Sequence, residues 1–215
     1  MISENENPPQ PAENGPSITP LPEAPLPASQ AERPPLHPDV LLRAGTGLGV
    51  VMVSVAFVWV NVFRQGDLRQ ALSLADLWAL APGLVLGVGF ALCAWAVGRR
   101  LQATWHIVRL LEQSLDLAAM RFHHVVLFSL LAAFPEEVLF RGALQPEVGL
   151  LLASIVFGAL HALTRLYFVY ATGAGLLLGV LYSLSGTLWV SIGAHFAIDF
   201  VMLLLLLQRR HHVIR

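Results

Sequence analysis

Residues 187–207 read TLWVSIGAHFAIDFVMLLLLL, and the reading of this stretch decides the fold. At 1.5 Å rise per residue a helix of this length reaches about 31 Å, the thickness of bilayer hydrocarbon. An amphipathic soluble helix would carry a broad polar stripe, whereas here His195 and Asp199 are the only ionisable side chains in an otherwise apolar run. The stretch is read as a transmembrane helix. Ionisable groups in the bilayer interior cost several kcal/mol, so His195 and Asp199 become candidate functional residues.

Working outward, five further apolar runs precede it, at 44–63, 77–97, 125–144, 148–163 and 166–184. The chain of 215 residues is 56% hydrophobic and 13% charged, with a mean hydropathy of +0.66, so most of it must be solvated by lipid. The expected fold is all-α: a polytopic membrane helix bundle of about six transmembrane helices with a four-helix catalytic core. The run at 148–163 is short and needs its flanks or local thinning to span. All 13 cationic residues are Arg, and they sit mostly between apolar runs, which argues against a nucleic-acid surface. The single Cys, Cys93, excludes an intramolecular disulfide.

Residues 1–38 are rich in Pro and Glu and poor in large apolar side chains, and are read as a disordered cytoplasmic tail without the pattern of a signal peptide. Residues 39–100 form two N-terminal transmembrane helices. In 101–123, Leu101, Trp105, Val108, Leu111, Leu115 and Phe122 recur at helical spacing opposite Gln102, His106, Arg109, Gln113 and Asp116. That is an amphipathic helix lying either in the membrane interface or on the protein's own cytoplasmic helix ends. Residues 124–208 form the candidate core and 209–215 a basic tail. Placing the N-terminus inside puts Arg43, Arg99, Arg100, Arg109, Arg121, Arg165, Arg209, Arg210 and Arg215 on the cytoplasmic side and only Arg64 and Arg69 outside. Both termini are therefore expected in the cytoplasm of a multi-pass cell-membrane protein.

Four more ionisable residues lie in the core runs: Glu136, Glu137 and Arg141 in FPEEVLFRG, and His161 closing FGALH. Counted from the run ends, Glu136, His161, His195 and Asp199 come out roughly 12–20 Å deep, near a midplane of about 15 Å, so they can meet in one chamber. Residues four apart share a helix face, which pairs Glu137 with Arg141 and His195 with Asp199. Glu136 is left as the carboxylate free to act as a general base, with one His beside it and another to face a developing oxyanion. The bland alternative is a polar network that only locks helix packing, and ion or proton relays use similar clusters.

The order and spacing of these groups narrow the choice. Glu136-Glu137-Val138-Leu139-Phe140-Arg141, then Phe157-Gly158-Ala159-Leu160-His161, then His195-Phe196-Ala197-Ile198-Asp199 resemble the Glu-Glu-x-x-x-Arg, Phe-x-x-x-His and His-x-x-x-Asn/Asp motifs of the CPBP family of intramembrane proteases. The resemblance covers roughly 125–207. It implies that Glu136 and His161 activate water, that His195 and Asp199 support the tetrahedral intermediate, and that Glu137, Arg141 and Phe157 support the site. The position of Asp199 is often Asn in the family. An ionised Asp offers no donor to an oxyanion, so it is read as orienting or charging His195, or else as a ligand to a cation with His161 and His195. The first reading needs no cofactor and is preferred. HExxH is absent, yet zinc remains chemically compatible with the cluster.

The expected partners are membrane lipid and a membrane peptide or protein substrate, with no nucleic acid; oligomeric state is left open. A non-catalytic immunity or scaffold protein retaining the same fold is the rival function, and a transporter the third. Pro135 is expected to cause a kink or irregular turn over 131–135 that frees a carbonyl beside the chamber and admits water to Glu136. His106, His123, His124, His211 and His212 are read as solvated or headgroup-facing. Trp59, Trp78, Trp95, Trp105 and Trp189 are read as interface anchors, and Gly142, Gly158, Gly173, Gly175, Gly179 and Gly193 as ordinary membrane-helix glycines.

Overall fold

Proline and a cap start the first helix: Pro38 occupies the first turn, where its missing N–H is not needed, and the His37 ring accepts from the Asp39 N–H at 3.3 Å. The computed structural model describes residues 35–66 and 68–213, so the reading of 1–34 as a disordered tail lies outside the described residues, as do the side chains of the basic tail. Residues 36 and 37, placed in that tail by the sequence reading, are fastened to the body. The Leu36 N–H donates to Ser114 O at 2.9 Å and Leu36 O accepts from the Asp116 N–H at 3.1 Å.

The elements are α1 (Pro38–Val58), running on as a π-helical turn Trp59–Phe63; α2 (Leu68–Ala71); a 3-10 turn Leu74–Ala79 leading into α3 (Leu80–Gly98); α4 (Gln102–Ser114); α5 (Phe122–Glu137), continued by a π-helical segment Val138–Leu144 into α6 (Gln145–Leu160); α7 (Arg165–Ser185); and α8 (Leu188–Val213). Thr164 caps α7 by accepting from the Tyr167 N–H at 3.1 Å, and Gly186 ends it in the left-handed conformation at φ 71°. No strand occurs among the described residues beyond one isolated bridge between Leu36 and Leu115. The protein is an all-α polytopic membrane bundle. Large apolar side chains such as Leu48, Val51, Val62, Val85, Leu151 and Val169 stay exposed, as a lipid-facing surface requires.

Five stretches are long and apolar enough to cross a membrane: Pro38–Phe63, Leu68–Gly98, Phe122–Leu160, Arg165–Ser185 and Leu188–Gln208. The sequence reading counts six runs, and the third and fourth fall together in Phe122–Leu160. That stretch is not straight. Gly149 has φ 81° and ψ 166°, a region open to glycine alone, and the chain reverses there. Seventeen residues along one helix would separate Phe140 from Phe157 by about 25 Å, but their ring centroids are 5.0 Å apart. Residues 150–160 are therefore a half-length helix of about 16 Å folded back along the stretch that precedes Gly149.

Small residues set how closely the helices approach. A Cβ on Gly83 would collide with Val190 O, and one on Gly87 with the Ala194 backbone, so α3 and α8 pack main chain to main chain beside His195. Part of the apolar face of α4 lies on the protein's own helix end, where Val108 and Leu111 pack with Leu115, Leu117 and Met120 against Leu206 and Leu207 of α8, while Leu101 and Trp105 stay exposed.

Pro135 behaves differently from expectation. Helix α5 remains α-helical through Glu137 and the irregular turn begins at Val138, after the proline rather than before it. The Leu131 carbonyl, deprived of its helical donor, lies on the side of α1, 4.0 Å from where a Cβ on Gly49 would stand. It does not face the chamber. The proline ring is accommodated by Gly49, where a Cβ would stand 2.9 Å from Pro135 Cγ.

Candidate active site

Three helices and the reversal at Gly149 bring the predicted groups together. The hairpin lays His161, at the end of α6, beside Glu136 near the end of α5, with His161 Nε2 3.5 Å from Glu136 Oε2. Helix α8 crosses both and places His195 Nε2 3.8 Å from the same oxygen. Asp199, one turn further along α8, has Oδ2 3.5 Å from His195 Nε2. These four groups line one cavity of about 130 Å³, together with Ala132, Phe157, Tyr167, Tyr170, Ala171, Ala174, Leu178 and Ile198. That is room for several waters.

Behind them lies a buried support. Glu137, at 0% exposure, accepts through Oε1 from Arg141 Nη1 and from His195 Nδ1, each at 2.8 Å. Arg141, at 2% exposure, also donates through Nη2 to Gly175 O at 3.0 Å, and its guanidinium lies 4.7 Å over the Phe157 ring. Phe157 in turn stacks on His161 at 4.4 Å and meets His195 edge-on at 5.8 Å. A buried arginine is tolerable only because a carboxylate, a carbonyl and an aromatic face surround it. The expected Glu137–Arg141 pair is present, but the strong partner of His195 is Glu137 on another helix rather than Asp199 on its own.

The hydrogen bonds settle which ring nitrogens are protonated. A carbonyl can only accept, so His161 Nδ1, 2.8 Å from Phe157 O, carries a proton. The same holds for His195 Nδ1 against the Glu137 carboxylate. Both Nε2 atoms therefore face the cavity, toward Glu136 Oε2, a buried oxygen with no hydrogen-bond partner. Two acceptors this close need a proton or a water molecule between them, so the site can hold and pass one. As for a metal, the donor types suit a cation, while among the described residues no group of three or more His, Cys, Asp or Glu is arranged to hold one.

Residues 118–201 match the family model of Rce1-like type II CAAX prenyl endopeptidases. Over this segment the chain is similar to that family. The CPBP resemblance carried by the three motifs is thereby borne out. Over 81 residues the chain is 47% identical to the uncharacterized protein YpbD of Bacillus subtilis (strain 168), a match covering 36% of this chain and 43% of that relative. The match thus spans less than half the length of that curated relative. No solved structure matches.

The sequence reading missed several residues of the Rce1-like segment. Tyr167 and Tyr170 line the cavity on the α7 stripe that includes Ala171, Ala174 and Leu178, a helical periodicity visible in the sequence once the face is known. Gly149 was overlooked because hydropathy carries straight across it. His124, expected at the headgroups, is buried; its Nδ1 accepts from the Arg121 N–H at 2.9 Å and its Nε2 lies 3.2 Å from Asp39 Oδ1, which ties α5 to α1.

Proposed function

We propose that this protein is an intramembrane endopeptidase that hydrolyses peptide bonds of membrane-associated peptides or proteins with water activated by Glu136 and His161. The observation that carries this reading is the unpartnered Glu136 Oε2, facing Nε2 of both histidines across a cavity roomy enough for water. Glu136 takes a proton from a water held against His161 Nε2, and the water oxygen bonds to the scissile carbonyl carbon as its C=O electrons move onto oxygen. The tetrahedral intermediate collapses as the C–N bond breaks and the proton passes from Glu136 to the departing nitrogen, leaving an amine and a carboxylic acid that then ionises. His195, held by Glu137 and flanked by Asp199, faces the same intermediate. No cofactor is required in this scheme.

The prenylated CAAX substrate named for the family is not carried over; the proposed substrate class is a membrane peptide or the membrane-proximal segment of a protein. The Arg distribution supports placing both termini in the cytoplasm and the chain in a cell membrane. The test is cleavage of membrane peptides by purified protein in vesicles. Glu136→Gln and His161→Ala should each lower the rate by at least 10²-fold while insertion and melting stay as in the parent. Cleavage by both variants at the parental rate would refute the assignment, and a scaffold that merely keeps the fold would retain its phenotype with Glu136→Gln.

A further inference from the structure

The cavity holds one polar group that the scheme above does not use. The Tyr170 hydroxyl is buried and has no hydrogen-bond partner among the described residues. Its ring is held firmly, 5.9 Å from Phe90 of α3 and 5.8 Å from Tyr167, and it packs with Leu177 and Leu181 against Leu178, Ala194 and Ile198. The small side chains of Ala171 and Ala174 on the same face leave the space into which substrate would enter. Burying a hydroxyl without a partner is unfavourable, and such a group in a cavity is a donor waiting for a ligand.

Counting donors shows what the ligand is. A tetrahedral oxyanion needs an N–H or O–H aimed at it. Glu136 and Asp199 are acceptors when ionised. His161 Nδ1–H is spent on Phe157 O, and His195 Nδ1–H on Glu137. Nε2 of His195 lies 3.8 and 3.5 Å from the Glu136 and Asp199 carboxylates without a hydrogen bond to either, and when protonated it can supply one donor. Among the described residues the Tyr170 side chain lines this cavity with a hydroxyl that is buried and has no hydrogen-bond partner, which makes it available as a donor beside His195 Nε2.

We propose that Tyr170 is a catalytic residue whose hydroxyl donates to the scissile carbonyl oxygen and stabilises the oxyanion, the task for which Asp199 lacks a proton. The proposal rests on peptide-bond hydrolysis at Glu136, and Tyr170 lines the same cavity as that base. The hydroxyl keeps its own proton throughout; only the strength of its hydrogen bond changes as charge builds on oxygen.

The experiment compares the full-length parent, Tyr170→Phe, Tyr167→Phe and Glu136→Gln in phosphatidylethanolamine/phosphatidylglycerol vesicles, using a pool of quenched-fluorescent single-span apolar peptides. Tyr170→Phe should lower kcat by roughly 10²–10³-fold with KM within about twofold, since the lost bond matters in the transition state. It should also weaken binding of a phosphinate peptide, whose tetrahedral anion imitates the intermediate, while leaving binding of an uncleavable planar peptide unchanged. Replacing Tyr170 by 3-fluorotyrosine keeps the hydroxyl and should retain the rate. Parental kcat in Tyr170→Phe with an inactive Glu136→Gln overturns the role of Tyr170 alone. Equal loss with Phe and 3-fluorotyrosine, or loss confined to Tyr167→Phe, overturns it too. A parent that cleaves nothing removes both this proposal and the endopeptidase reading.

Discussion

His195 on α8 donates through Nδ1 to Glu137 Oε1 on α5 at 2.8 Å, across 58 residues of sequence. Because Arg141 already neutralises Glu137 through the same oxygen, the carboxylate can fix the ring without drawing its proton fully away. The imidazole is thereby aimed with Nε2 toward Glu136 and Asp199. The support behind the cavity is a buried ion pair, and its removal should be felt in stability before chemistry.

Glu137→Ala leaves Arg141 buried without a counter-charge, a loss of about 3–5 kcal/mol. Thermal melting in detergent should fall by roughly 10 °C, and by less for Glu137→Gln, which keeps an acceptor for both partners. An unchanged melting temperature in Glu137→Ala would show that Arg141 is paired elsewhere.

Asp199→Asn should slow cleavage by no more than about tenfold, the worth of one ordinary hydrogen bond, because an amide can itself donate. Asp199→Ala should slow it further. A strong chelator should leave the parent's rate intact; loss that added zinc restores would instead make Asp199 a ligand with His161 and His195.

Gly149→Ala forces a side chain into a backbone region that glycine alone adopts freely. It should destabilise by about 1–3 kcal/mol and slow cleavage as well, although residue 149 is absent from the cavity lining, since the reversal there is what lays His161 against Glu136. Normal melting and normal cleavage together would mean the hairpin does not depend on this residue.

Gly87→Ala should cost about 1–3 kcal/mol by pushing α3 off the Ala194 backbone, and should disturb catalysis through the neighbouring His195. Gly89→Ala, with nothing within 4 Å of the added methyl, serves as the comparison and should be neutral or slightly stabilising. Melting and cleavage of the two variants, measured side by side, separate interface from propensity.

What the sequence by itself determined is everything that depends on local repeat and on solvent. Apolar length marked the helices, and an ionisable residue inside such a run had to meet a partner or do chemistry. The spacing of Glu136, Glu137 and Arg141, of Phe157 and His161, and of His195 and Asp199 placed each set on one helix face. The tertiary structure alone decided which face met which. The four-residue rule paired His195 with Asp199, but the rotation of α8 against α5 gave its short bond to Glu137. The apolar pattern ran through Gly149 without a mark, because hydropathy measures transfer to lipid and is blind to the sign of φ. Tyr170 carries no mark in the sequence, and only the packing of α7 beside α3 sets its ring against Phe90. The close approach at Gly83 and Gly87 sets the spacing of α3 and α8, and helix rotation and spacing are properties of two surfaces together, which no single helix encodes.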